Sequence, residues 1–113
     1  LFKACKSGNE AIVKYLVEHG ADVNKKGMKG ETPLFIVCRN GNEAIVKYLV
    51  EHGADINKTN NYLVELGADI NKVNNYGYTP LFNVCENGNE AIVKYLVEHG
   101  ADINKENEYG ETP

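Results

Sequence analysis

The sequence predicts an all-α solenoid in which short helix–turn–helix units stack side by side. The first observation is an internal repeat, because the segment NEAIVKYLVEHGAD occurs without change at 9–22, 42–55 and 89–102. Self-similarity of this kind is the signature of repeat architectures. The second observation is that each unit contains two short amphipathic helices, neither of which can bury its apolar side alone. Neighbouring units must therefore cover one another.

The unit at 74–106 begins with residues typical of a turn. The segment NNYGYTP is rich in Asn and Gly, which tolerate left-handed backbone conformations, so we expect a tight projecting turn. Thr79 followed by Pro80 predicts a helix start, with the Thr hydroxyl capping an N–H group and the Pro at the first helical position. The segment LFNVCEN then predicts a short helix that ends at Gly88.

A second, longer helix follows in the same unit. Asn89 is placed to cap its first turn. In EAIVKYLVEH, Ile92 pairs with Leu96 and Val93 with Val97 at i, i+4, which predicts one apolar face. A glycine ends the helix, and ADINK leads out to the next turn. Each unit is thus a turn, a short helix, a reversal and a longer helix.

These complete units resemble ankyrin repeats. GETPLFIVCRNGNEAIVKYLVEHGADINK at 30–58 and GYTPLFNVCENGNEAIVKYLVEHGADINK at 77–105 approach the TPLH-x-A core and the 33-residue period of that family. The TPL, the mid-unit Gly and the GAD-x-N all fall in the family's order. The resemblance covers nearly the whole chain and implies an ankyrin-repeat solenoid of stacked helix–turn–helix units with projecting turns.

One departure from the ankyrin pattern recurs. Phe35 and Phe82 stand where ankyrins usually have His, and Phe2 occupies the same repeat position. The family's His would help to hold its Thr by hydrogen bonding, which Phe cannot do. We therefore expect Thr32 and Thr79 to rely on backbone capping, and the phenylalanines to make apolar contacts between units.

One interval between repeats is short. The glycines that open each GAD, namely Gly20, Gly53, Gly67 and Gly100, are separated by 33, 14 and 33 residues. We interpret 1–113 as a single ankyrin-repeat domain. It divides into a partial unit 1–26, a unit 27–59, a truncated or incomplete unit 60–73, a unit 74–106 and the start of a further unit 107–113.

Three explanations of the short interval remain open. Relative to the 33-residue period, 19 residues are absent near Tyr62–Leu63. A segment of a longer chain is missing from the sequence, or a deletion has joined two contexts that share Tyr62, or the unit is short in the protein itself. The third is physically awkward, since losing a first helix uncovers neighbouring apolar faces. The chain also begins within a unit at LFKAC and ends at GETP, so we expect a fragment of a longer array.

Composition is typical of a globular intracellular protein. The chain has 113 residues, of which 42% are apolar and 25% charged. No apolar run approaches the length of a membrane span, and a net charge of −4 argues against nucleic-acid binding. The three cysteines form no CxxC pair, which favours a reducing compartment. We expect a monomer in the cytoplasm, with the nucleus left open.

The charge is distributed unevenly along the chain. Residues 1–26 carry a net charge of +2, whereas residues 74–106 carry −3. If the units stack in order, the solenoid runs from mildly basic to acidic. Both a steering role for this gradient and an ordinary solvated surface fit the pattern.

The reactive residue types predict no active site. Each type occupies one repeat position: His19, His52 and His99; Cys5, Cys38 and Cys85; Asp22, Asp55, Asp69 and Asp102. Packed helices lie roughly 8–10 Å apart, whereas a catalytic base must come within about 3 Å of its target and zinc ligands within roughly 2.3 Å of the metal. Columns of one residue type do not converge, so we predict no enzymatic activity, no cofactor and no metal site.

The informative signal is where the two complete units differ. All the differences between 27–59 and 74–106 lie in the turn or the first helix, and none lies in the second helix, although its polar residues must also face water. The pairs are Gly27/Asn74, Met28/Asn75, Lys29/Tyr76, Glu31/Tyr78, Ile36/Asn83, Arg39/Glu86 and Thr59/Glu106. In ankyrins, which these units resemble, the turns and first helices line the concave face that contacts partners. Drift after recent copying of the second helices is the alternative explanation.

We therefore predict a non-enzymatic protein–protein interaction scaffold that binds a protein partner through its concave face. The candidate contact residues combine charge with aromatic area, and the tyrosines are the expected anchors. They are Met28, Lys29, Glu31, Arg39, Tyr76, Tyr78, Glu86, Glu106 and Tyr109. The alternative function is a structural spacer or elastic array with no specific partner for this segment.

Overall fold

The computed structural model describes residues 1–52 and 69–113. In those ranges the chain forms six α-helices and one short 3₁₀ turn, and no strand. The helices are α1 (Phe2–Ser7), α2 (Glu10–Glu18), α3 (Pro33–Asn40), α4 (Glu43–His52), α5 (Pro80–Asn87) and α6 (Glu90–Glu98), and the 3₁₀ turn is Met28–Gly30. The predicted all-α class is confirmed.

The helices form two rows. The first helices α1, α3 and α5 pack against one another in order, and the second helices α2, α4 and α6 form the other row. Within each unit the short helix packs on the long one, as α1 does on α2, α3 on α4 and α5 on α6. This arrangement is the predicted stack of helix–turn–helix units.

Local capping explains where most helices begin and end. Three asparagines accept a hydrogen bond from the backbone N–H three residues on, Asn9 from Ile12 at 3.1 Å, Asn42 from Ile45 at 3.1 Å and Asn89 from Ile92 at 3.2 Å. The first helices end at glycines with left-handed backbone angles, and Gly88 has φ 69°. The predicted Asn and Gly caps are confirmed.

The predicted threonine caps are wrong. Thr32 and Thr79 do stand at the N-caps of α3 and α5, but neither side chain makes a capping hydrogen bond. Both hydroxyls are buried and have no hydrogen-bond partner among the described residues. The prolines that follow are at the first helical position as predicted, so the extended N-cap backbone and the proline ring define the start of each helix.

One of the phenylalanines that replace the family's histidine contacts the neighbouring unit. The ring of Phe2 lies against Gly27 in the turn of the next unit, where an added Cβ would come within 2.9 Å of the ring. Phe35 is 1% exposed in the middle of the stack. The predicted apolar contact between units is confirmed at Phe2, and Gly27 is the residue that makes room for it.

The three second helices have the same sequence but bury different residues, which shows which side of the helix each neighbouring unit covers. In α2, Val13 and Val17 are buried, and in α6 it is Ile92 and Leu96 that are buried. The middle helix α4 buries the residues at all four of these repeat positions. Among the described second helices, α2 has a neighbour only in the unit that follows and α6 only in the unit that precedes. The Val positions therefore face the next unit (the Val edge), and the Ile and Leu positions face the previous one (the Ile/Leu edge).

The units on either side of the short interval are direct neighbours in the stack. Helix α3 packs on α5, and α4 packs on α6. The N–H of Asp69 donates to Oδ1 of Asn24 at 2.8 Å, and the N–H of Asp102 donates to Oδ1 of Asn71 at the same distance. Residues 69–72 therefore lie between the loops of the first and last described units. Tyr62–Leu63, and the boundary between 27–59 and 60–73, lie outside the described residues, so the division into units stays a prediction.

Candidate partner-binding surface

The turns and first helices of the second and third described units form one surface, which we call the turn–helix surface (residues 27–31 and 74–78 with α3 and α5). Its turn at 74–78 is held by a buried asparagine. Oδ1 of Asn74 accepts from the N–H of Tyr76 at 2.9 Å and from that of Tyr78 at 3.0 Å. The N–H of Asn74 donates in turn to the carbonyl of Tyr78 at 2.9 Å. One side chain thus fixes the backbone that presents both tyrosines.

The turn at 27–31 is built differently. Gly27 occupies the repeat position of Asn74 and has no side chain to hold the turn, although its N–H still donates to the carbonyl of Glu31 at 2.9 Å. Lys29 has φ 64°, the only positive value for a non-glycine residue in the described ranges. A side chain in this conformation is strained, so this turn presents its lysine at a conformational cost that the third unit avoids.

The turns also stack on one another through their backbones. The N–H of Asn75 donates to the carbonyl of Lys29 at 2.9 Å, and the N–H of Glu108 donates to the carbonyl of Tyr76 at 3.1 Å. The approach is close at Gly77, where an added Cβ would come within 2.9 Å of the Glu108 nitrogen. The turns therefore hold fixed positions relative to one another.

Aromatic side chains lie on the exposed side of this framework. Tyr76 is 44% exposed and Tyr109 is 67% exposed. Tyr78 is half-buried, and its ring meets that of Phe82 edge to face, with 5.0 Å between centroids. Such a pair restrains the tyrosine, which leaves less side-chain entropy to be lost when a partner binds.

Charged side chains lie beside the aromatic ones. Arg39 forms an ion pair with Glu31 through its Nη2 atom. The Glu31 side chain is 9% exposed and that of Arg39 is 49% exposed, so the carboxylate lies behind the guanidinium. Of this pair it is Arg39 that is open to a partner, and Glu31 positions it. Glu86 takes the repeat position of Arg39 in the next unit and is exposed.

A groove of about 570 Å³ runs over this surface. Six of the residues predicted from sequence line it, namely Lys29, Glu31, Arg39, Tyr76, Tyr78 and Glu86. The other three, Met28, Glu106 and Tyr109, are exposed but do not line the groove. The lining also includes residues that sequence reasoning missed, and these are Asn74, Phe82, Asn83, Cys85, Glu111 and Pro113.

Among the missed residues, Asn83 had a signal in the sequence. It replaces Ile36 of the previous unit and so was one of the differing positions. Its Nδ2 atom is buried without a hydrogen-bond partner among the described residues. An unpaired buried amide is costly, so a bound group that accepts a hydrogen bond from Asn83 gains free energy that a bare surface does not offer.

The polar residues of the second helices are used in the stack itself. Glutamate–lysine pairs at i, i+4 recur in all three, at 2.7 Å between Glu10 and Lys14 and at 2.9 Å in α4 and α6. The Lys14 ammonium lies 5.5 Å from the centroid of the Tyr48 ring in the next unit. Each second helix therefore contacts its neighbour through polar as well as apolar residues. This contact gives a physical reason why the copies are identical there.

Histidine and aspartate side chains of the described residues make hydrogen bonds within their own units. The Nδ1–H of His19 donates to the Tyr15 carbonyl at 2.7 Å while its ring stacks on that of Tyr15. The described cysteines are free thiols, and burial raises the pKa of Cys5 to about 11, so this thiol is inert at neutral pH. Asp102 accepts from the N–H of Asn104 at 2.9 Å within its own turn. In residues 1–52 and 69–113, no group of three or more His, Cys, Asp or Glu side chains could hold a metal ion.

Comparison with protein families identifies the class. A family model described as ankyrin repeats, in three copies, matches residues 1–60 and 61–113. The chain therefore belongs to the ankyrin-repeat family, as the sequence resemblance implied. Ankyrin repeats are generally protein–protein interaction modules, and the family is typically non-enzymatic. Comparison with curated proteins gives no match. Across the described helices, none is long and apolar enough to cross a membrane.

Proposed function

We propose that this chain is a non-enzymatic protein-binding scaffold that contacts its partner through the concave face formed by the turn–helix surface. The observation that carries the proposal is the coincidence of sequence variation with one groove. Positions that differ between the two complete units supply Lys29, Arg39, Tyr76, Tyr78 and Glu86, and these side chains line the same groove. Residues chosen for variability alone would not be expected to share one concavity.

The chemistry of the groove also suits protein recognition. Tyrosine and arginine are the residue types that most often dominate binding energy at interfaces, because they offer large contact area together with hydrogen bonding. The two tyrosines stand on a turn that Asn74 already holds in place, so the backbone loses little conformational entropy when a partner binds.

The spacer alternative makes a different demand on the same residues. A spacer needs its stacking contacts, which lie between neighbouring first helices and neighbouring second helices. It has no use for exposed tyrosines such as Tyr76, which is 44% exposed. Replacement of these tyrosines therefore separates the two functions, provided that the stack is shown to stay folded.

The test selects ligands for the wild-type chain from a display library of random 12-residue peptides. We expect the Tyr76→Ala/Tyr78→Ala double variant to bind the selected peptides at least about tenfold more weakly, since truncated aromatic anchors typically cost 2 kcal/mol or more. The matched control is Tyr15→Ala on α2, where the tyrosine is 61% exposed but belongs to the second-helix row. Far-UV circular dichroism and thermal melting check the fold of each variant.

Equal affinity of the wild type and the double variant for every selected peptide would contradict the proposal and favour the spacer. Because Tyr78 is half-buried against Phe82, its removal can also destabilise the stack. Tyr78→Phe, which keeps the ring, and the single variant Tyr76→Ala are therefore measured as well. A loss of binding with an unchanged melting temperature supports the proposal.

A further inference from the structure

The groove has an electrostatic direction along the stack. Its basic residues, Lys29 and Arg39, belong to the second described unit. Its acidic residue in the third unit is Glu86, which is exposed, and Glu111 follows in the turn after that unit. Since the units stack in order, the groove runs from a basic end to an acidic end.

Tyr78 and Phe82, two aromatic residues of the groove, belong to the third unit, as Glu86 does. Glu31, Tyr78 and Glu111 occupy equivalent positions in three successive turns. Tyr78 is thus one unit away from the Glu31–Arg39 pair and one unit away from Glu111, and Phe82 supports it edge to face at 5.0 Å. The groove therefore presents a base in the second unit, an aromatic platform beside an acid in the third unit, and a further acid in the turn that follows.

The basic end retains free donors although Arg39 is already paired. Glu31 accepts a hydrogen bond from Nη2 of Arg39. A guanidinium carries five N–H donors, and the Arg39 side chain is 49% exposed, so the remaining donors can bind a carboxylate from a partner. Because Glu31 holds the guanidinium in place, Arg39 pays less side-chain entropy for that contact.

We propose that the partner contributes a peptide segment in which a carboxylate, an apolar side chain and a cationic side chain follow one another. The segment binds with its carboxylate at Arg39, its apolar side chain over Tyr78 and Phe82, and its cation at Glu86. Stacked helices are roughly 8–10 Å apart, and an extended chain rises roughly 3.3 Å per residue. About three residues of an extended segment therefore separate the two charges. This assignment rests on the proposed function and adds to it the chemistry and direction of the ligand.

Double-mutant cycles on peptides from the random 12-residue library test the proposal. We expect selected peptides that depend on Tyr76 and Tyr78 to carry an acidic and a basic residue. Arg39→Gln should weaken such a peptide about tenfold, and should cause no further loss once the peptide's carboxylate is replaced by its amide. Glu86→Gln should weaken it about threefold to fivefold, with coupling only to the peptide's basic residue.

Controls separate the charge assignment from folding. Arg39→Gln leaves the buried Glu31 carboxylate without its partner, so Arg39→Lys is measured beside it to keep a positive charge there. Glu86→Gln is exposed and carries no such cost, and Glu90→Gln on α6 is its matched surface control, with no effect expected. Circular dichroism confirms that each variant is folded.

The outcomes distinguish this inference from the function on which it rests. Coupling of Arg39 to the peptide's acid and of Glu86 to its base supports it. Tyrosine-dependent peptides whose charges are absent, are reversed, or show purely additive losses overturn the charge assignment and leave the proposed function standing. If no selected peptide depends on Tyr76 and Tyr78, both fall.

Discussion

Helices α4 and α6 share the sequence EAIVKYLVE from their first residue onward, yet α4 buries both its Val and its Ile/Leu positions and α6 only the Ile/Leu positions. Val50 in α4 is 7% exposed, whereas Val97 at the same position of α6 is 41% exposed. The only difference is that α4 has a neighbour on both sides and α6 has one in the described structure. The comparison shows that stacking, rather than the amino acid, decides how much each position contributes to stability.

The turns differ in the opposite way. Each turn makes the same backbone hydrogen bond to the next turn, but their residues change, as from Gly27 to Asn74 and from Lys29 to Tyr76. The second helices keep their sequence because their apolar and polar residues both contact the next unit, as Lys14 does with Tyr48. The turn–helix surface has freedom to vary because its outward side chains are not needed for the stack.

The largest effect is expected when a charge is placed on the Val edge. Val17→Lys in α2 buries an ammonium between two units and should lower the free energy of unfolding by about 3–5 kcal/mol. Val97→Lys in α6 makes the same change at a position that is 41% exposed and should cost less than about 1 kcal/mol. Urea denaturation followed by circular dichroism measures both. Equal losses would show that the neighbour does not determine burial.

A smaller effect is expected at the close contact between turns. Gly77 has φ 80° and Gly88 has φ 69°, so alanine is strained at either position. Only at Gly77 does the added Cβ also meet a neighbouring backbone, at 2.9 Å from the Glu108 nitrogen. We expect Gly88→Ala to cost about 1 kcal/mol and Gly77→Ala about 2–3 kcal/mol of unfolding free energy. A Gly77→Ala loss no larger than that of Gly88→Ala would mean that the turns do not hold one another.

Removal of a buried hydroxyl should stabilise the chain. Thr79 is 1% exposed and its hydroxyl has no hydrogen-bond partner among the described residues. Thr79→Val keeps the shape and removes the unpaired polar group, so we expect a gain of about 1 kcal/mol in unfolding free energy. Thr112, at the same repeat position, is exposed, and Thr112→Val should change stability by less than about 0.5 kcal/mol. A marked loss for Thr79→Val would reveal a hydrogen bond at that hydroxyl.

The three cysteines occupy one repeat position and should differ in thiol reactivity according to their burial. Cys5 and Cys38 are buried, whereas Cys85 at the same repeat position is exposed. We expect a disulfide-exchange reagent to label one thiol in the folded chain and three after unfolding. The Cys85→Ser variant should show no labelling while it is folded. Partial burial raises the pKa of Cys85, so its thiolate fraction and labelling rate should still be rising above about pH 8.5. Equal labelling of Cys38 in the folded chain would contradict the stack.

Much of the fold was predictable because it depends on local and periodic features. The Asn caps such as Asn89 and the helix-ending glycines such as Gly88 depend on a few adjacent residues, and the structure confirms them. The threonine caps failed because capping depends on where the hydroxyl points. The Thr79 hydroxyl is instead buried without a hydrogen-bond partner among the described residues, so the N-cap position alone did not ensure a side-chain cap.

The candidate site was predictable only in part. Variation between units identified Arg39 and Tyr78, which line the groove. Variation between units could not show that Glu31 is buried in an ion pair with Arg39. That pair forms because the arginine side chain, near the end of α3, reaches back to the residue before the N-cap of the helix. Variation also missed Phe82, which lines the groove with its ring edge to face against Tyr78, because the same residue type stands in both units and so gave no signal of variation.

The central claim is that the turn–helix surface recognises partners while the second helices maintain the stack. Hydrogen exchange measured by mass spectrometry, with and without a tyrosine-dependent peptide from the random library, tests it most directly. We predict slower exchange on peptide binding within 27–39 and 74–86, and no change within α4 and α6. Protection confined to α4 and α6, with none in the turns, would contradict the account.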